Sequence, residues 1–259
     1  MALMYIESLP MLWTTHLVFK EEEERNFLST CCLCYSNSYD DYLQTKVFLH
    51  PKEIAYLDKL TFKNRIKSYL AGRYAGKNAV SLLSGEEKLS SIEIEPGIFH
   101  QPIVHGLETQ VTISHCDDLG MALAYGDVCP LGVDIERIQT DKEVVLAGQM
   151  TDEEHMVMKS LPFSSVHSLT LFWSVKESLS KVLKTGFTSP IDIFSIRTVE
   201  VAHPVITSYF NYFPQFCTTS FIFSSYVCSI THPKGVHWSK DSIYQLLCQG
   251  IPILDGINT

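Results

Sequence analysis

The stretch that decides the fold is Gly132-Val133-Asp134-Ile135-Glu136-Arg137-Ile138, in which polar and aliphatic residues alternate. A period of two is typical of a β-strand with one face in the core. Asp134 and Glu136 then lie on one face, and Val133 and Ile135 lie on the other. Two converging carboxylates suit magnesium, which takes one or two carboxylates besides water and phosphate oxygens. An ordinary half-exposed strand shows the same alternation, so this pattern alone leaves both interpretations open.

The predicted secondary-structure elements occur in the same order in the two halves of the chain. The first half contains an apolar, β-prone stretch, a helical stretch and short strand-like runs, at residues 11–19, 64–83, 91–95, 110–114 and 121–125. The second half contains a strand, a helical stretch and further strand-like runs, at residues 132–138, 165–184, 191–201 and 219–232. Both halves therefore follow the order strand, helix, strands, which predicts an α+β fold of two similar halves.

The boundary between the halves is predicted at residues 125–131, where Gly126, Asp127 and Pro130 favour a turn. We therefore divide the chain into residues 1–128 and 129–259. The duplication is one of pattern, because no residue-level repeat is visible. A site built from both halves would lie at their interface, which is a common place for ligands.

The helical stretch of the second half contains Phe172-Trp173-Ser174-Val175-Lys176-Glu177-Ser178-Leu179-Ser180-Lys181. Its apolar residues form one stripe at helical spacing, and Glu177 and Lys181 point away from that stripe. A solvent-facing pair four residues apart would stabilise the helix by a few tenths of a kcal/mol, and this is the simplest explanation of the pair. The presence of the other motifs in the same sequence favours a functional role for Glu177 and Lys181 instead.

Two features of the first half indicate phosphate binding. Residues 61–80 carry five basic side chains and no acidic one: Lys63, Arg65, Lys67, Arg73 and Lys77. Arginine can hold phosphate oxygens through two hydrogen bonds. The strand at residues 111–116 ends in Ser114 and His115, which could offer a hydroxyl and an imidazole at the rim of a cleft. A solvated helix face and a structural histidine are the alternative interpretations.

Composition narrows the classes of function. A net charge of −9 disfavours a general nucleic-acid role. Residues 1–20 lack a signal-peptide pattern, and the sequence has no run of about 18 apolar residues, so we expect a cytoplasmic protein without a membrane span. The eight cysteines are scattered, which fits reduced thiols. Cys31, Cys32 and Cys34 have no second ligand pair at zinc-finger spacing.

Taken together and in this order, the motifs resemble the surfactin-type 4′-phosphopantetheinyl transferases. The family's Gly-x-Asp-x-Glu strand matches residues 132–136, its Trp-Ser-x-Lys-Glu-Ser-x-x-Lys helix matches residues 173–181, and its Ile-Ser-His step matches residues 113–115. Residues 70–73, 114–116 and 169–171 are most similar to the branch that serves enterobactin-type synthetases. The resemblance covers residues 65–194.

The resemblance implies an enzyme that transfers 4′-phosphopantetheine from coenzyme A to a serine of an apo acyl or peptidyl carrier protein. Mg²⁺ would be required and adenosine 3′,5′-bisphosphate released. It also implies two α+β halves related by pseudo-two-fold symmetry, with the active site in the cleft between them. The metal ligands would be Asp134, Glu136 and Glu177, and the catalytic residues would be Glu177 as general base and Lys181. The coenzyme A contacts would be Arg65, Arg73, His100, Ser114, His115, Lys176 and Lys181.

One position departs from the family pattern. Many members carry Gly-Lys-Pro ahead of the Ser-His strand, whereas this chain has Phe99-His100-Gln101-Pro102, so His100 or Gln101 would replace the phosphate-binding lysine. Two rival functions remain: a non-catalytic coenzyme A binding partner of a synthase, and a different magnesium-dependent phosphotransferase. The complete set of carboxylates argues against the first rival, and the lack of a Walker-type loop argues against the second.

Overall fold

A computed structural model of the chain describes residues 8–21 and 25–250. The strands are β1 (Met11–Glu21), β2 (Asn26–Tyr35), β3 (Glu93–Pro96), β4 (Pro102–His105), β5 (Gln110–Cys116), β6 (Leu119–Tyr125), β7 (Gly132–Arg137), β8 (Ile196–Ala202), β9 (Val205–Phe210), β10 (Phe216–Phe223), β11 (Tyr226–Pro233) and β12 (Val236–His237). The α-helices are α1 (Tyr39–Gln44), α2 (Pro51–Leu57), α3 (Lys63–Ser84), α4 (Glu143–Ala147), α5 (Asp152–Lys159), α6 (Ser165–Val182) and α7 (Asp241–Gly250). Short 3₁₀ helices lie at Thr45–Phe48, Leu89–Ser91, Thr140–Lys142, Gly186–Thr188 and Ile191–Phe194.

Two five-stranded antiparallel sheets form the frame of the molecule. The first sheet has the order β12-β1-β2-β6-β5, and the second has the order β7-β11-β10-β9-β8. The hairpin β3–β4 forms a separate small sheet. One long helix packs on each large sheet, α3 on the first and α6 on the second. This arrangement confirms the α+β fold with two sheet-rich halves.

Alternate residues of the strands enter different cores. In the first sheet, Cys31 and Leu33 face a core shared by both sheets and α7, whereas Cys32 faces the core beneath α3. In the second sheet, Cys228 faces the shared core, and Val227 faces the core beneath α6. Each sheet is therefore covered on both faces. Because Cys31 and Cys32 lie on opposite faces of β2, the cysteine trio cannot converge on one metal ion.

Two glycines set the distance between each long helix and its sheet. A Cβ atom on Gly120 of β6 would lie 2.5 Å from the carbonyl oxygen of Ala71 in α3. A Cβ atom on Gly132 of β7 would lie 2.0 Å from the carbonyl oxygen of Ser178 in α6. Only a residue without a side chain permits such an approach of strand to helix backbone. The contact at Gly132 brings α6 close to the acidic strand.

Each half also contains a buried lysine–glutamate pair that joins its long helix to a short one. Lys77 of α3 lies 2.6 Å from Glu53 of α2, and Lys176 of α6 lies 2.7 Å from Glu154 of α5. Both glutamates complete a capping box at the start of their short helix. Each also accepts a backbone N–H from the strand that follows the long helix. These matching details support the duplication that the order of elements predicted, at a level of detail for which the sequence shows no residue-level repeat.

Several predicted boundaries hold, and others change. The helices at 64–83 and 165–184 are observed as α3 and α6, with ends that differ by one or two residues. The predicted strand at 219–232 is instead the hairpin β10–β11, and the run at 191–201 contains a 3₁₀ helix before β8. The strand β2 was not predicted.

The two halves interlock at the end of the described chain. Strand β12 pairs with β1, and α7 packs against β1 and β2, so residues 236–250 join the first sheet. The division into residues 1–128 and 129–259 stays a proposal, and its outer ends, residues 1–7 and 251–259, lie outside the described residues. Among the described helices, none has the length and apolar character needed to cross a bilayer.

Candidate metal centre and cofactor cleft

Strand β7 and helix α6 bring three carboxylates together. Asp134 and Glu136 project from the same face of β7, and Glu177 reaches them from α6. Each of the three offers an oxygen atom, and these atoms lie within 4.8 Å of one another. Asp134 is buried, whereas Glu136 and Glu177 are partly exposed. The structure thus unites the three residues that the resemblance implied as metal ligands.

The hydrogen bonds of Asp134 leave one of its oxygens unused. Its Oδ1 atom accepts hydrogen bonds from Ser114 Oγ and from Lys181 Nζ, each at 2.8 Å. Its Oδ2 atom is buried and has no hydrogen-bond partner among the described residues. A buried charged oxygen without a partner is costly unless a cation compensates it. The donor set of three carboxylates therefore fits a divalent cation bound by Oδ2 and the two glutamates.

The electrostatics of the three carboxylates agree with this interpretation. Burial, together with repulsion from Asp134 and Glu177, raises the pKa of Glu136 to about 7. Burial and the charge of Asp134 also raise the pKa of Glu177. Burial disfavours the charged form of Lys181, but Asp134 and Glu177 outweigh that effect and raise its pKa. Two ammonium groups lie beside the three carboxyl groups: Lys181, and Lys142 at 3.9 Å from Glu136 Oε2. The pKa of Glu136 is raised despite both of them, so a dication would relieve the remaining repulsion.

Lys181 is held within this cluster. Its ammonium donates to Asp134 Oδ1 at 2.8 Å and to the carbonyl oxygen of Val133 at 3.0 Å, and it lies 3.4 Å from Glu177 Oε1. The neighbouring Trp173 side chain partly opposes the rise in the pKa of Glu177. Both Glu177 and Lys181 line a cavity, so the pair four residues apart does not face bulk solvent as a simple surface pair would.

A cleft extends from the carboxylates in two directions. One cavity of about 280 Å³ is lined by side chains from both halves, including Phe99, Trp173, Phe187, Glu177 and Lys181. A second cavity of about 520 Å³ lies on the first half and is lined by side chains including Lys59, Arg65, Tyr69, Arg73 and His115. The two cavities share the wall formed by His100, Pro102 and Ile113. The cleft therefore has an aromatic end and a basic end.

Three predicted phosphate contacts lie at the basic end. Arg65 is exposed and makes no ion pair with any described residue. Arg73 also lines the cavity, but its Nε atom lies 3.3 Å from Glu53 Oε1 and its guanidinium covers the ring of Tyr69. The pKa of His115 is lowered, because the crowded cleft desolvates the ring and because Lys181 and Arg65 are positive. These positions agree with phosphate contacts, which stay predictions.

The rest of the basic stretch does not form part of this patch. Lys77 is buried against Glu53, Lys67 pairs with Asp118 at 2.5 Å, and Lys63 lies over the ring of Tyr39. Of the five basic side chains in residues 61–80, only Arg65 and Arg73 line the basic cavity, so the predicted phosphate-binding patch is reduced to these two arginines. A helix presents its side chains in several directions, and acidic or aromatic partners from other elements take up these three lysines.

The predicted contact of Lys176 with coenzyme A is also wrong. Its side chain has no exposed surface, and its ammonium donates to Glu154 Oε2 at 2.7 Å and to the carbonyl oxygen of Gln149 at 3.0 Å. A buried ammonium that is already paired cannot reach a phosphate in the cleft. Lys176 instead ties α6 to α5.

Ser114 is also engaged within the protein. Its hydroxyl is buried, donates to Asp134 and accepts the backbone N–H of Ile135 at 3.2 Å. Its hydrogen atom is therefore already used within the protein. The structure places Ser114 behind the carboxylates, and a contact of its hydroxyl with coenzyme A stays a prediction.

His100 lies where the two cavities meet, and its contact with coenzyme A stays a prediction. It is exposed and adopts a left-handed backbone conformation with φ of 63° in the β3–β4 hairpin. Gln101 is engaged inside the hairpin, where its Oε1 atom accepts the backbone N–H of Phe99 at 3.0 Å. His100 therefore lines both cavities, whereas Gln101 lines only the first.

Sequence reasoning missed the residues that line or support the cleft without a motif of their own. Phe187 follows α6 in a 3₁₀ helix and contacts Trp173 with ring centroids 5.1 Å apart. Thr112 lies two residues before Ser114 and accepts the backbone N–H of Val133 at 3.2 Å. The two-residue spacing from Ser114 was a signal for Thr112, because it places both hydroxyls on one strand face. Nothing in the local sequence marked Phe187.

Residues 130–231 match the family model of the 4′-phosphopantetheinyl transferase superfamily. The matched segment contains β7 and the whole of α6, which carry the three clustered carboxylates. The match supports the superfamily that the motifs resemble, and it does not distinguish among the branches of that superfamily. No curated protein matches the chain.

Proposed function

We propose that this protein is a magnesium-dependent 4′-phosphopantetheinyl transferase that uses coenzyme A as the donor. The carboxylate cluster is the main support: Asp134, Glu136 and Glu177 converge within 4.8 Å, and Asp134 Oδ2 lacks a hydrogen-bond partner among the described residues. The match of residues 130–231 to the transferase superfamily supports the same chemistry. A protein that only bound coenzyme A would not need such a cluster beside the cleft.

The shape of the cleft suggests how coenzyme A would lie. Arg65 and Arg73 are suited to the phosphate of the adenosine ribose, because guanidinium groups bind phosphate oxygens in pairs. His115 and His100 would donate hydrogen bonds to the diphosphate between the two cavities. The phosphopantetheine arm would then point to the cavity lined by Trp173 and the two phenylalanines described above.

Each residue of the cluster would have its own role in the transfer reaction. Asp134, Glu136 and Glu177 would hold Mg²⁺, which when bound supplies positive charge to the diphosphate as the bond to the leaving group breaks. Glu177 would accept the proton of the attacking carrier serine, a role that its raised pKa favours. Lys181 would keep Asp134 and Glu177 in place and add positive charge to the reacting phosphate.

The acceptor would be a serine of an apo acyl or peptidyl carrier protein, in the cytoplasm. The surfactin-type placement, and within it the branch that serves enterobactin-type synthetases, rests on the residues quoted for the resemblance. Nucleic acid and membrane are not expected partners.

The test is the transfer itself. The protein is incubated with coenzyme A, Mg²⁺ and several apo-carriers, and intact mass spectrometry then detects the added phosphopantetheine. Addition should require Mg²⁺ and the carrier serine. The variant Glu177→Gln should lower the single-turnover rate by about 10²- to 10⁴-fold, which is the usual contribution of a general base.

A matched control separates this effect from a general effect of losing a carboxylate. Glu153 is exposed on α5, has no ion pair among the described residues, and lies outside the cluster. The variant Glu153→Gln should transfer at the wild-type rate. If coenzyme A binds but no carrier is modified, the non-catalytic binding partner becomes the better description. Full activity of Glu177→Gln would remove the general-base assignment.

A further inference from the structure

The two sheets meet through their edge strands next to the carboxylate cluster. β5 is an edge of the first sheet and β7 is an edge of the second, and within the described residues no backbone ladder joins them. An edge strand presents N–H groups that need acceptors. On β7 these groups belong to Val133 and Ile135, and they donate to Thr112 Oγ1 and Ser114 Oγ, each at 3.2 Å. Side-chain hydroxyls thus replace the missing ladder.

The two hydroxyls differ in one respect. Thr112 supports only the backbone of β7, whereas Ser114 also donates to Asp134 Oδ1 at 2.8 Å. A serine hydroxyl has a single hydrogen atom. Ser114 accepts a hydrogen bond from Ile135 and donates one to Asp134, and these two hydrogen bonds together fix the orientation of its hydroxyl.

We propose that Ser114 is a positioning residue that orients Asp134 for the metal ion. This inference rests on the proposed function, since it concerns the same metal centre. Ser114 and Lys181 together occupy Asp134 Oδ1. The carboxylate plane is thereby held so that Oδ2, which has no hydrogen-bond partner among the described residues, is the oxygen left for the cation. The first half of the chain would in this way control a ligand carried by the second half.

The same geometry argues against a phosphate contact for Ser114. Phosphate oxygens at neutral pH are chiefly acceptors, so they would need the hydroxyl hydrogen that Asp134 already receives. The residue is only 6% exposed. His115, the next residue, points to the other face of β5 and lines the basic cavity.

The variant Ser114→Ala tests the proposal, with Thr112→Val as its matched control. Both variants remove a hydroxyl that accepts a β7 backbone N–H, but only Ser114→Ala removes a hydrogen bond to Asp134. Mn²⁺ binding is measured by electron paramagnetic resonance without coenzyme A, and thermal melting checks that each variant is folded. Ser114→Ala should bind Mn²⁺ about 10- to 100-fold more weakly, which is the usual effect of losing a partner of a metal ligand. Thr112→Val should lose thermal stability but keep the wild-type affinity for Mn²⁺.

Coenzyme A binding in the presence of a chelator distinguishes positioning from phosphate contact. A positioning role leaves this affinity unchanged in Ser114→Ala, whereas a phosphate contact would weaken it. Wild-type Mn²⁺ affinity in Ser114→Ala, or an equal loss in Thr112→Val, would overturn the proposal. Absence of Mn²⁺ binding in the wild-type protein would overturn it too. If the wild-type protein binds Mn²⁺ but modifies no carrier, the proposed function fails, and the two variants still decide the role of Ser114.

Discussion

Replacing Gly132 by alanine should separate the two elements that carry the carboxylates. The added Cβ atom would lie 2.0 Å from Ser178 O and 2.8 Å from Val182 Cγ2, whereas ordinary contacts begin at 3.4 Å. The first neighbour is a backbone carbonyl, which cannot turn aside as a flexible side chain could. Helix α6 must therefore move away from β7. Glu177 precedes Ser178 directly and would move with it, away from Asp134.

The geometry sets the size of the effect. Relieving the contact requires a shift of about 1 Å, and a misplacement of that size at a reacting group can lower a rate by about 10²-fold. Overpacking of this kind destabilises a core by about 1–3 kcal/mol. At about 2–4 °C for each kcal/mol, the melting temperature should fall by about 2–12 °C. Mn²⁺ affinity should fall together with transfer.

Two other glycines serve as controls for Gly132→Ala. Gly120→Ala places a Cβ atom 2.5 Å from the carbonyl oxygen of Ala71, so it should lower the melting temperature but leave Mn²⁺ affinity unchanged. Gly126→Ala meets no atom within 4 Å and should change neither property. Calorimetric melting and Mn²⁺ titration measure both. The reasoning would be refuted if Gly132→Ala bound Mn²⁺ like the wild type, or if Gly120→Ala lost affinity to the same extent.

Three further predictions concern charged groups. Lys176→Met leaves Glu154 buried without its partner, so it should lower the free energy of unfolding, measured with urea, by about 3–5 kcal/mol. Normal stability together with weaker coenzyme A binding would instead indicate that Lys176 contacts a phosphate. Because the pKa of Glu136 is raised to about 7, Mn²⁺ must displace a proton from it at lower pH. The affinity for Mn²⁺ should therefore fall about tenfold for each pH unit below about pH 7. An Mn²⁺ affinity that does not change with pH would contradict this. Burial lowers the pKa of His232 to about 4. As the pH falls, the histidine of the unfolded chain is protonated near pH 6.5, before that of the folded protein. The free energy of unfolding should therefore decrease by about 3 kcal/mol as the pH falls from about 6.5 to 4. His232→Gln should remove that part of the pH dependence, and an unchanged slope would speak against it.

Local patterns predicted the elements that carry the chemistry. The acidic strand and α6 were found to within two residues, because alternation and helical spacing are properties of short segments. By contrast, β2 was missed. Its residues 29–35 are all buried, since both faces of the first sheet are covered, and a strand without a polar face shows no alternation.

Side-chain roles were harder to predict than elements. Lys176 and Lys181 lie on the same helix and in the same motif, yet one is paired with Glu154 and the other with Asp134. Ser114 likewise donates to a carboxylate 20 residues away along the chain. These partners come from other elements, so spacing within one segment could not identify them.

By itself, the sequence determined the fold class, the acidic strand, the helix with Glu177 and Lys181, and the resemblance to one transferase superfamily. These follow from periodicity and from motifs, which are local in the chain. Only the tertiary structure decided how the polar groups are paired: that Asp134 Oδ2 has no hydrogen-bond partner among the described residues, that Lys176 is buried, and that Ser114 supports Asp134. The physical reason is that burial and partner choice depend on contacts between distant segments, and close approaches such as that of Gly132 to α6 exist only once the elements are packed.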